Sequence, residues 1–389
     1  MKRYNKNFRY THEFITACIY KCLNGKWYRR DVYRCFVDVA IENNLNDYYT
    51  EESIKYFTQY DRSKMHDLII KIAENMYQEI TTRSINLRPI RYNMRFDNCS
   101  KKWRKIGVSS IKQQMYDYIA VESMLNMFHS KIGRYQCASI KGRGQSYGAR
   151  AIERWIRRTP HKTRYAYKCD IKKYYPSVDH EKLKELLKRD IKNDDCLYLL
   201  FALIDSYQNG LCIGSYLSQY LANYYLSYAY HFLTEKMIKT RKQKNGSQIN
   251  KNMVSYCLFY MDDIIIFSSR KADLKIVIKR FEKYLNEFLH LKIKKGSVMF
   301  KVDDRCIDMM GYKIYRDHTE IRKRIYKKIR KVFLKYKEDS IMTVDDARKI
   351  VSYYGYIKHS NSKNLKKKYN IEKTIKLAKE RLKNESNLY

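Results

Sequence analysis

Residues Val254 to Tyr260 are mostly apolar, aromatic or β-branched, and Ile264 to Ser268 are again strand formers; between them stand Met261, Asp262 and Asp263. Two such runs joined by a short polar turn predict a β-hairpin. Its bend carries two adjacent carboxylates with hydrophobic strands behind them. Successive side chains of a strand face opposite ways, but a turn relaxes that rule and lets both acids face one open side. Asp-Asp also occurs in ordinary solvated turns, where the carboxylate bonds its own backbone. What surrounds the pair decides between these readings.

A third acid lies upstream. Arg164 to Ile171 predicts a strand ending in Asp170, after which Lys172 to His180 turns into a helix that begins near Asp179. An acid at the end of a buried strand is costly unless it is paired with a lysine or bound to a metal. From Asp170 onward the order is strand, helix, hairpin, helix, strand, with Ile307–Tyr315 taken as the closing strand. That is the βαββαβ ferredoxin-like arrangement, in which the end of the first strand lies beside the turn of the central hairpin. Asp170 should therefore meet Asp262 and Asp263 across about 90 residues of chain.

Charge sharpens the reading. Lys and Arg number 80 against 41 Asp and Glu, a formal net charge of +39 that predicts attraction to polyanions, nucleic acid first. The 39 tyrosines, many beside Lys or Arg, supply faces on which unpaired bases stack. An AT-rich coding sequence explains Tyr over Phe and Lys over Arg, but not the deficit of acids. Three acids converging in such a chain make poor structural sense without cations. They make good sense as ligands for two Mg²⁺ ions, which take carboxylates together with substrate phosphates and clamp an in-line phosphoryl displacement. Mn²⁺ is the substitute ion.

Elsewhere the first 90 residues are helical in pattern, with Asp61 or Ser63 placed to cap a helix through Ile80. Arg91–Phe96 and Lys101–Ile106 predict a basic hairpin with its turn at Asp97–Ser100, and residues 111–132 a helix. Lys141-Gly142-Arg143-Gly144 precedes a helix from about Ala149, a plausible phosphate contact. Ser215, Gln219 and Asn223, four apart, predict a polar helix stripe lining a cleft. Lys239–Asn252 reads as a polar, basic loop. Ala272–Leu289 reads as an amphipathic helix, and the chain from Asn361 as a charged helix and tail. Cys18 and Cys22 have no second pair to complete a zinc site, and the ten scattered cysteines suggest reduced thiols in a cytoplasmic protein. Neither a signal peptide nor a membrane-spanning run is visible.

On these residues the chain resembles the reverse transcriptases. Tyr260-Met261-Asp262-Asp263 matches the family's catalytic hairpin, and Asp170 through His180 resembles its first carboxylate motif. Ile213-Gly214 with Ser218-Gln219 and Asn223 resembles the nucleotide-side helix. Lys102-Trp103-Arg104-Lys105 is similar to the fingers strand that grips the triphosphate, Gln136 through Gly144 to the following fingers motif, and Met309-Met310-Gly311-Tyr312 to the primer-grip strand, where Phe-Leu-Gly-Tyr is more usual. The resemblance implies an α+β right-hand polymerase with a ferredoxin-like palm, fingers and a helical thumb. It implies transfer of dNTPs to a growing 3′ end, directed by an RNA template, with DNA as product. Asp170, Asp262 and Asp263 would be catalytic and hold the metal, with the carbonyl of Ile171. Lys102, Arg104, Tyr175, Gln219 and Lys295 would bind nucleotide; Lys141, Arg143, Tyr312, Arg322, Arg324, Tyr353 and Tyr354 would bind nucleic acid.

The expected domains are a helical N-terminal extension at 1–86, fingers at 87–164, palm at 165–316 and a basic helical thumb with tail at 317–389. The Ile-Gly-x-x-x-Ser-Gln form resembles bacterial retroelement enzymes, both diversity-generating and defence-associated, and no RNase H, integrase or endonuclease region is recognisable. A dedicated non-coding RNA is the expected template source; an accessory protein or a second copy of the chain are further partners left open. The rival readings are a template-independent nucleotidyl transferase, an RNA-dependent RNA polymerase and a non-catalytic RNA-binding scaffold.

Overall fold

The computed structural model describes residues 3–97, 102–242, 245–336 and 341–386. In chain order its elements begin with helices α1 (His12–Leu23), α2 (Arg30–Glu42), α3 (Glu51–Tyr60) and α4 (His66–Thr81), then strands β1 (Arg91–Asp97) and β2 (Lys102–Val108). Helix α5 (Ile111–Lys131), strand β3 (Gln136–Cys137), helix α6 (Gln145–Arg158) and strand β4 (Tyr165–Asp170) follow. Next come α7 (Tyr174–Ser177), α8 (His180–Asp190), α9 (Asp194–Asp205), α10 (Tyr216–His231), β5 (Ile238–Lys242), β6 (Gln248–Asn252), β7 (Tyr256–Tyr260), β8 (Asp263–Ser268) and α11 (Lys271–Leu289). The remainder is β9 (Val298–Lys301), β10 (Ile307–Met309), β11 (Tyr312–Ile314), β12 (Thr319–Ile321), α12 (Lys323–Lys335), α13 (Val344–Lys358), α14 (Lys363–Lys368) and α15 (Ile371–Ser386). Helix starts follow local chemistry: Thr11, Thr50, Ser110, Asp179, Asn193 and Thr343 each accept the backbone N–H of the residue three positions on. The helix expected after Asp61 begins instead at His66, because a single 3₁₀ turn at Arg62–Met65 intervenes and no side chain caps it.

Two compact units divide the chain. The first takes Met1–Ile132, Lys173–Ser227 and Asn286–Leu291. Here α1 packs on α4 and α5, and α5 on α9. The inner face of α5 buries Met115, Ile119, Met124 and Phe128. Hairpin β1–β2 pairs Arg91 with Val108 through Asp97 with Lys102; the turn expected at Asp97–Ser100 lies, beyond Asp97, outside the described residues.

The polar stripe on α10 is a correction. Ser215 and Asn223 are buried, not cleft-lining, while Gln219 alone is partly exposed. Ser215 Oγ donates to Asp117 Oδ2 at 2.7 Å, and Tyr216 N donates to the same oxygen at 3.1 Å. Asp117 thus holds the start of α10 from inside the core. Burial pushes its carboxyl up to about 7, against hydrogen bonds from Ser215 and the backbone. Between about pH 4 and about pH 7 the native chain keeps a proton that the unfolded chain has released, so Asp117 makes stability fall as pH rises through that window. Relative to Asp117→Asn, the wild-type melting temperature should drop progressively from about pH 5 to about pH 7. Parallel melting curves across that range would contradict the assignment.

The second unit takes Gly133–Lys172, Tyr228–Leu285 and Lys292–Tyr389. Its five-stranded sheet runs β3-β7-β8-β4-β9. Strands β4, β7, β8 and β9 are antiparallel neighbours in the order fourth, first, third, second, which is the ferredoxin-like arrangement. The closing strand differs from expectation: it is Val298–Lys301, paired with β4, whereas Ile307–Ile314 forms two strands of a separate three-stranded sheet with β12. The segment read as a loop, Lys239–Asn252, lies in the exposed hairpin β5–β6. Helix α6 buries Ile152, Trp155 and Ile156 against Leu258, Ile265 and Phe267 of the palm-type sheet. The helix expected after Asn361 is present as α14 and α15, and it is packed. Leu365, Tyr369, Ile371, Ile375 and Ala378 share a core with Ile329, Phe333, Ile350 and Ile357. No helix among the described residues is long and apolar enough to cross a membrane.

Candidate active site

The expected hairpin is present. Strands β7 and β8 close with Tyr260 opposite Asp263, leaving Met261 and Asp262 as the two-residue bend. Met261 takes φ +53°, a left-handed conformation that costs a non-glycine residue on the order of 1 kcal/mol. Tertiary bonds hold that strain: Met261 N donates to Cys137 O at 3.4 Å, and Ile171 N to Asp262 O at 3.1 Å. The second bond ties the bend to the residue after Asp170.

Register then brings two acids together. Asp170 on β4 stands directly opposite Asp263 on β8. Residues opposite one another in an antiparallel pair share a face, with Cβ atoms about 5 Å apart, and like charges there are destabilising. Two lysines answer them. Lys168 Nζ lies 3.1 Å from Asp263 Oδ1, and Lys294 Nζ 3.4 Å from Asp170 Oδ2. Neither lysine stands out in the sequence. Lys168 is findable by strand alternation, two residues before Asp170 and so on the same face. Lys294 has no signal: its place follows from backbone pairing of 292–294 with the end of β4, where Lys172 N donates to Lys292 O and Lys294 N to Asp170 O, both at 2.8 Å. Its neighbour Lys295, the residue expected to serve the nucleotide, is exposed.

Burial pushes the Asp263 carboxyl up to about 6; Lys168 opposes the shift, and Asp170 and Asp262 add to it. No group of three or more His, Cys, Asp or Glu among the described residues is disposed as a ready metal cage. A buried carboxylate facing a like-charged partner in register nonetheless suits a hard divalent cation, which needs carboxylate oxygens and tolerates open positions filled by water or phosphate.

The remaining expected residues fall as follows. Tyr174 is core, 3% exposed, its hydroxyl donating to Ala222 O at 2.5 Å. Tyr175 is only half-buried, and its carbonyl accepts from Leu211 N at 2.8 Å. Gly210 makes that approach: at φ +55° a Cβ there would sit 2.2 Å from Tyr175 O. Arg104 Nε pairs with Asp97 Oδ2 at 3.0 Å across the β1–β2 hairpin, and Lys102 is exposed at its described end. Lys141 is exposed; Arg143 donates from Nη1 to Gly133 O at 3.0 Å and so braces its own loop. Tyr312 is a correction: at 2% exposure its ring packs in the core, with no face open to a base. The turn before it is buried as well, Met310 and Gly311 both having positive φ as a two-residue hairpin of type I′ requires. Arg322 pairs with Asp308, Arg324 is partly exposed, and Tyr353 and Tyr354 pack partly buried against the C-terminal helical core.

A ferredoxin-like sheet with acids paired at the end of its first strand and in its central hairpin defines a right-hand nucleic-acid polymerase. The chain belongs to the reverse transcriptase family: the family model described as reverse transcriptase (RNA-dependent DNA polymerase) matches residues 94–314, more than half of the chain. It is therefore an RNA-directed DNA polymerase, which takes an RNA template and dNTPs and makes DNA. No curated protein sequence matches it significantly. Among solved structures it is similar to apo telomerase from Candida tropicalis truncated from the C-terminal domain, at 12% identity over 72% of this chain and 69% of that one, with a TM-score of 0.40.

Proposed function

We propose that this reverse transcriptase works by two-metal phosphoryl transfer with Mg²⁺ held by Asp170, Asp262, Asp263 and the carbonyl of Ile171. The supporting observation is the register that sets Asp170 opposite Asp263. When bound, the ions polarise the transferring phosphoryl and lower the pKa of the attacking hydroxyl. The chain supplies the rest. Asp170 and Asp263 present oxygens on one face of the sheet, and the Asp262 turn is fixed to the end of β4 through Ile171 N. Lys168 and Lys294 neutralise the acids and would give way where the ions are held. Lys102, Arg104 and Gln219 contact the incoming nucleotide, Tyr175 its sugar, and Lys295 its pyrophosphate. Fingers at 87–164, palm at 165–316, thumb at 317–389 and an N-terminal extension at 1–86 are the proposed domains.

The biological setting we propose is a prokaryotic retroelement or an antiphage defence system with a dedicated non-coding RNA, in the cytoplasm. The Ile213-Gly214-x-x-x-Ser218-Gln219 form supports it. The deciding experiment is primer extension by the purified chain on an RNA template with and without Mg²⁺, with sequencing of co-purified nucleic acid. Extension that ignores the template sequence would instead favour template-independent transfer, and no incorporation at all a binding scaffold.

RNA affinity should fall steeply with salt, because a chain of net charge +39 binds through phosphate neutralisation. With six to ten phosphate contacts the loss is about 10³-fold or more between about 50 mM and about 200 mM salt. An affinity unchanged over that range would contradict the reading. Removal of residues 361–389 is not a clean way to test it, since that segment supplies Leu365, Tyr369, Ile371, Ile375 and Ala378 to the C-terminal core.

A further inference from the structure

We propose that a groove formed by α6, α13 and α14, distinct from the palm acids, binds a single strand of nucleic acid, with phosphates in a basic cavity and a base on Tyr326. The inference rests on the reading that this chain handles RNA and DNA.

Helix α6 buries Ala149, Ile152 and Ile156 and turns Arg150, Glu153 and Arg157, spaced three and four residues apart, to the other side. Across from them the end of α13 and the start of α14 bring Lys358, His359, Lys363 and Lys366 to the same cavity of about 710 Å³. Five permanent cations and a histidine line it against one acid, and that acid, Glu153, is already paired with Arg157. An ordinary solvated helix face interleaves its charges, as α8 does with Lys182–Glu185 and Lys184–Glu181. Here like charges are gathered in a concavity, which raises the local concentration of anions. Burial, then Arg150 and Lys358, hold the His359 imidazole below its ordinary value. The Nε of Arg157 is buried without a hydrogen-bond partner. The volume is far more than one phosphate needs and lies in the range of organic ligands.

The cavity continues into a second of about 330 Å³, which shares Asn361 and Asn364 with it. Asn361 is fixed by two bonds of 2.8 Å to Thr319, its N–H to Thr319 O and its Oδ1 accepting from Thr319 N. The far wall carries Ile321, Leu365 and Tyr326, the last of which is 37% exposed. Basic residues followed along one groove by an aromatic face are the pattern that tracks a phosphodiester backbone and stacks an unpaired base.

The test compares two variants of equal net charge: Lys358→Gln/Lys363→Gln/Lys366→Gln in the groove, and Lys275→Gln/Lys279→Gln/Lys283→Gln on the exposed side of α11. Fluorescent RNA and DNA strands of about twelve nucleotides report binding, within the site sizes of single-strand proteins. The groove variant should weaken binding at least tenfold more than the α11 variant. Its slope of log affinity against log salt should fall by a further two or so, at roughly 0.7 for each phosphate left without its lysine. Tyr326→Ala should cost about tenfold with little change in that slope. A larger loss for RNA than for DNA assigns the site to the template or a partner RNA; the reverse assigns it to the product strand. Equal losses from the two lysine triples, or displacement of the strand by free triphosphate at comparable concentration, would overturn the proposal. Primer extension by the wild-type chain is run alongside: its absence removes the polymerase reading and leaves the strand-binding comparison standing on its own.

Discussion

Asp262→Ala and Asp170→Ala each abolish dNTP incorporation while leaving the fold and RNA binding intact. Both residues offer oxygens at the junction of β4 and the β7–β8 bend. Loss of a metal ligand removes several kcal/mol of transition-state stabilisation, about 10³-fold or more in rate. Stability should move little, and for Asp170→Ala it should hold or rise. Asp170 stands opposite Asp263 in register, and removing a like charge relieves that pair. The buried Asp263, already pushed up to about 6, loses one of the carboxylates that raise it. Single-nucleotide incorporation and a thermal melt on the same preparation read both effects. Near-wild-type incorporation by either variant would sink the metal assignment. Lost incorporation accompanied by a collapsed melt would show a structural defect instead.

Tyr175→Ala opens the active site to ribonucleotides. Tyr175 lies five residues after Asp170, where the chain turns away from β4. An aromatic ring against the C2′ edge of the sugar leaves no room for a hydroxyl, and rejection by a clash needs no hydrogen bond. The competing role, filling the core, belongs to the neighbour. Tyr174 is buried and anchored through its hydroxyl to Ala222 O, so Tyr174→Ala should cost about 3–5 kcal/mol of stability. Tyr175 is instead half-buried, its ring edge-on to that of Tyr174 and its backbone held by Leu211 N and the close approach of Gly210. The alanine variant should raise kcat/KM for rNTPs by about 100-fold, a change of roughly 2.7 kcal/mol, with dNTP use within about tenfold of wild type. If wild type already takes both sugars equally, or the variant still excludes rNTPs, Tyr175 is not the gate.

What could be read from the residues was whatever local patterning specifies. The β7–β8 hairpin was legible because apolar runs on both sides of a two-residue polar bend admit one register. The start of α8 was legible because a cap such as Asp179 acts within three residues. From these and the element order, the ferredoxin-like sheet and its three acids followed. Tertiary structure decided what rests on distant partners. Strand β9 is short and half-buried, and backbone pairing with β4 alone defines it. The exposed β5–β6 hairpin carries no alternation of apolar residues to announce it. The scattered apolar residues of α14 and α15 look like a lysine-rich tail until α12 and α13 give them a core. Lys294 reaches Asp170 across 124 positions, and Asp117 reaches Ser215 across 98. Sequence by itself determined which strand end and which bend carry the acids, because short-range turn and strand rules place them there. Only the folded chain decided which cations and buried partners hold those acids and helices, because charge pairing and burial depend on distance in space rather than along the chain.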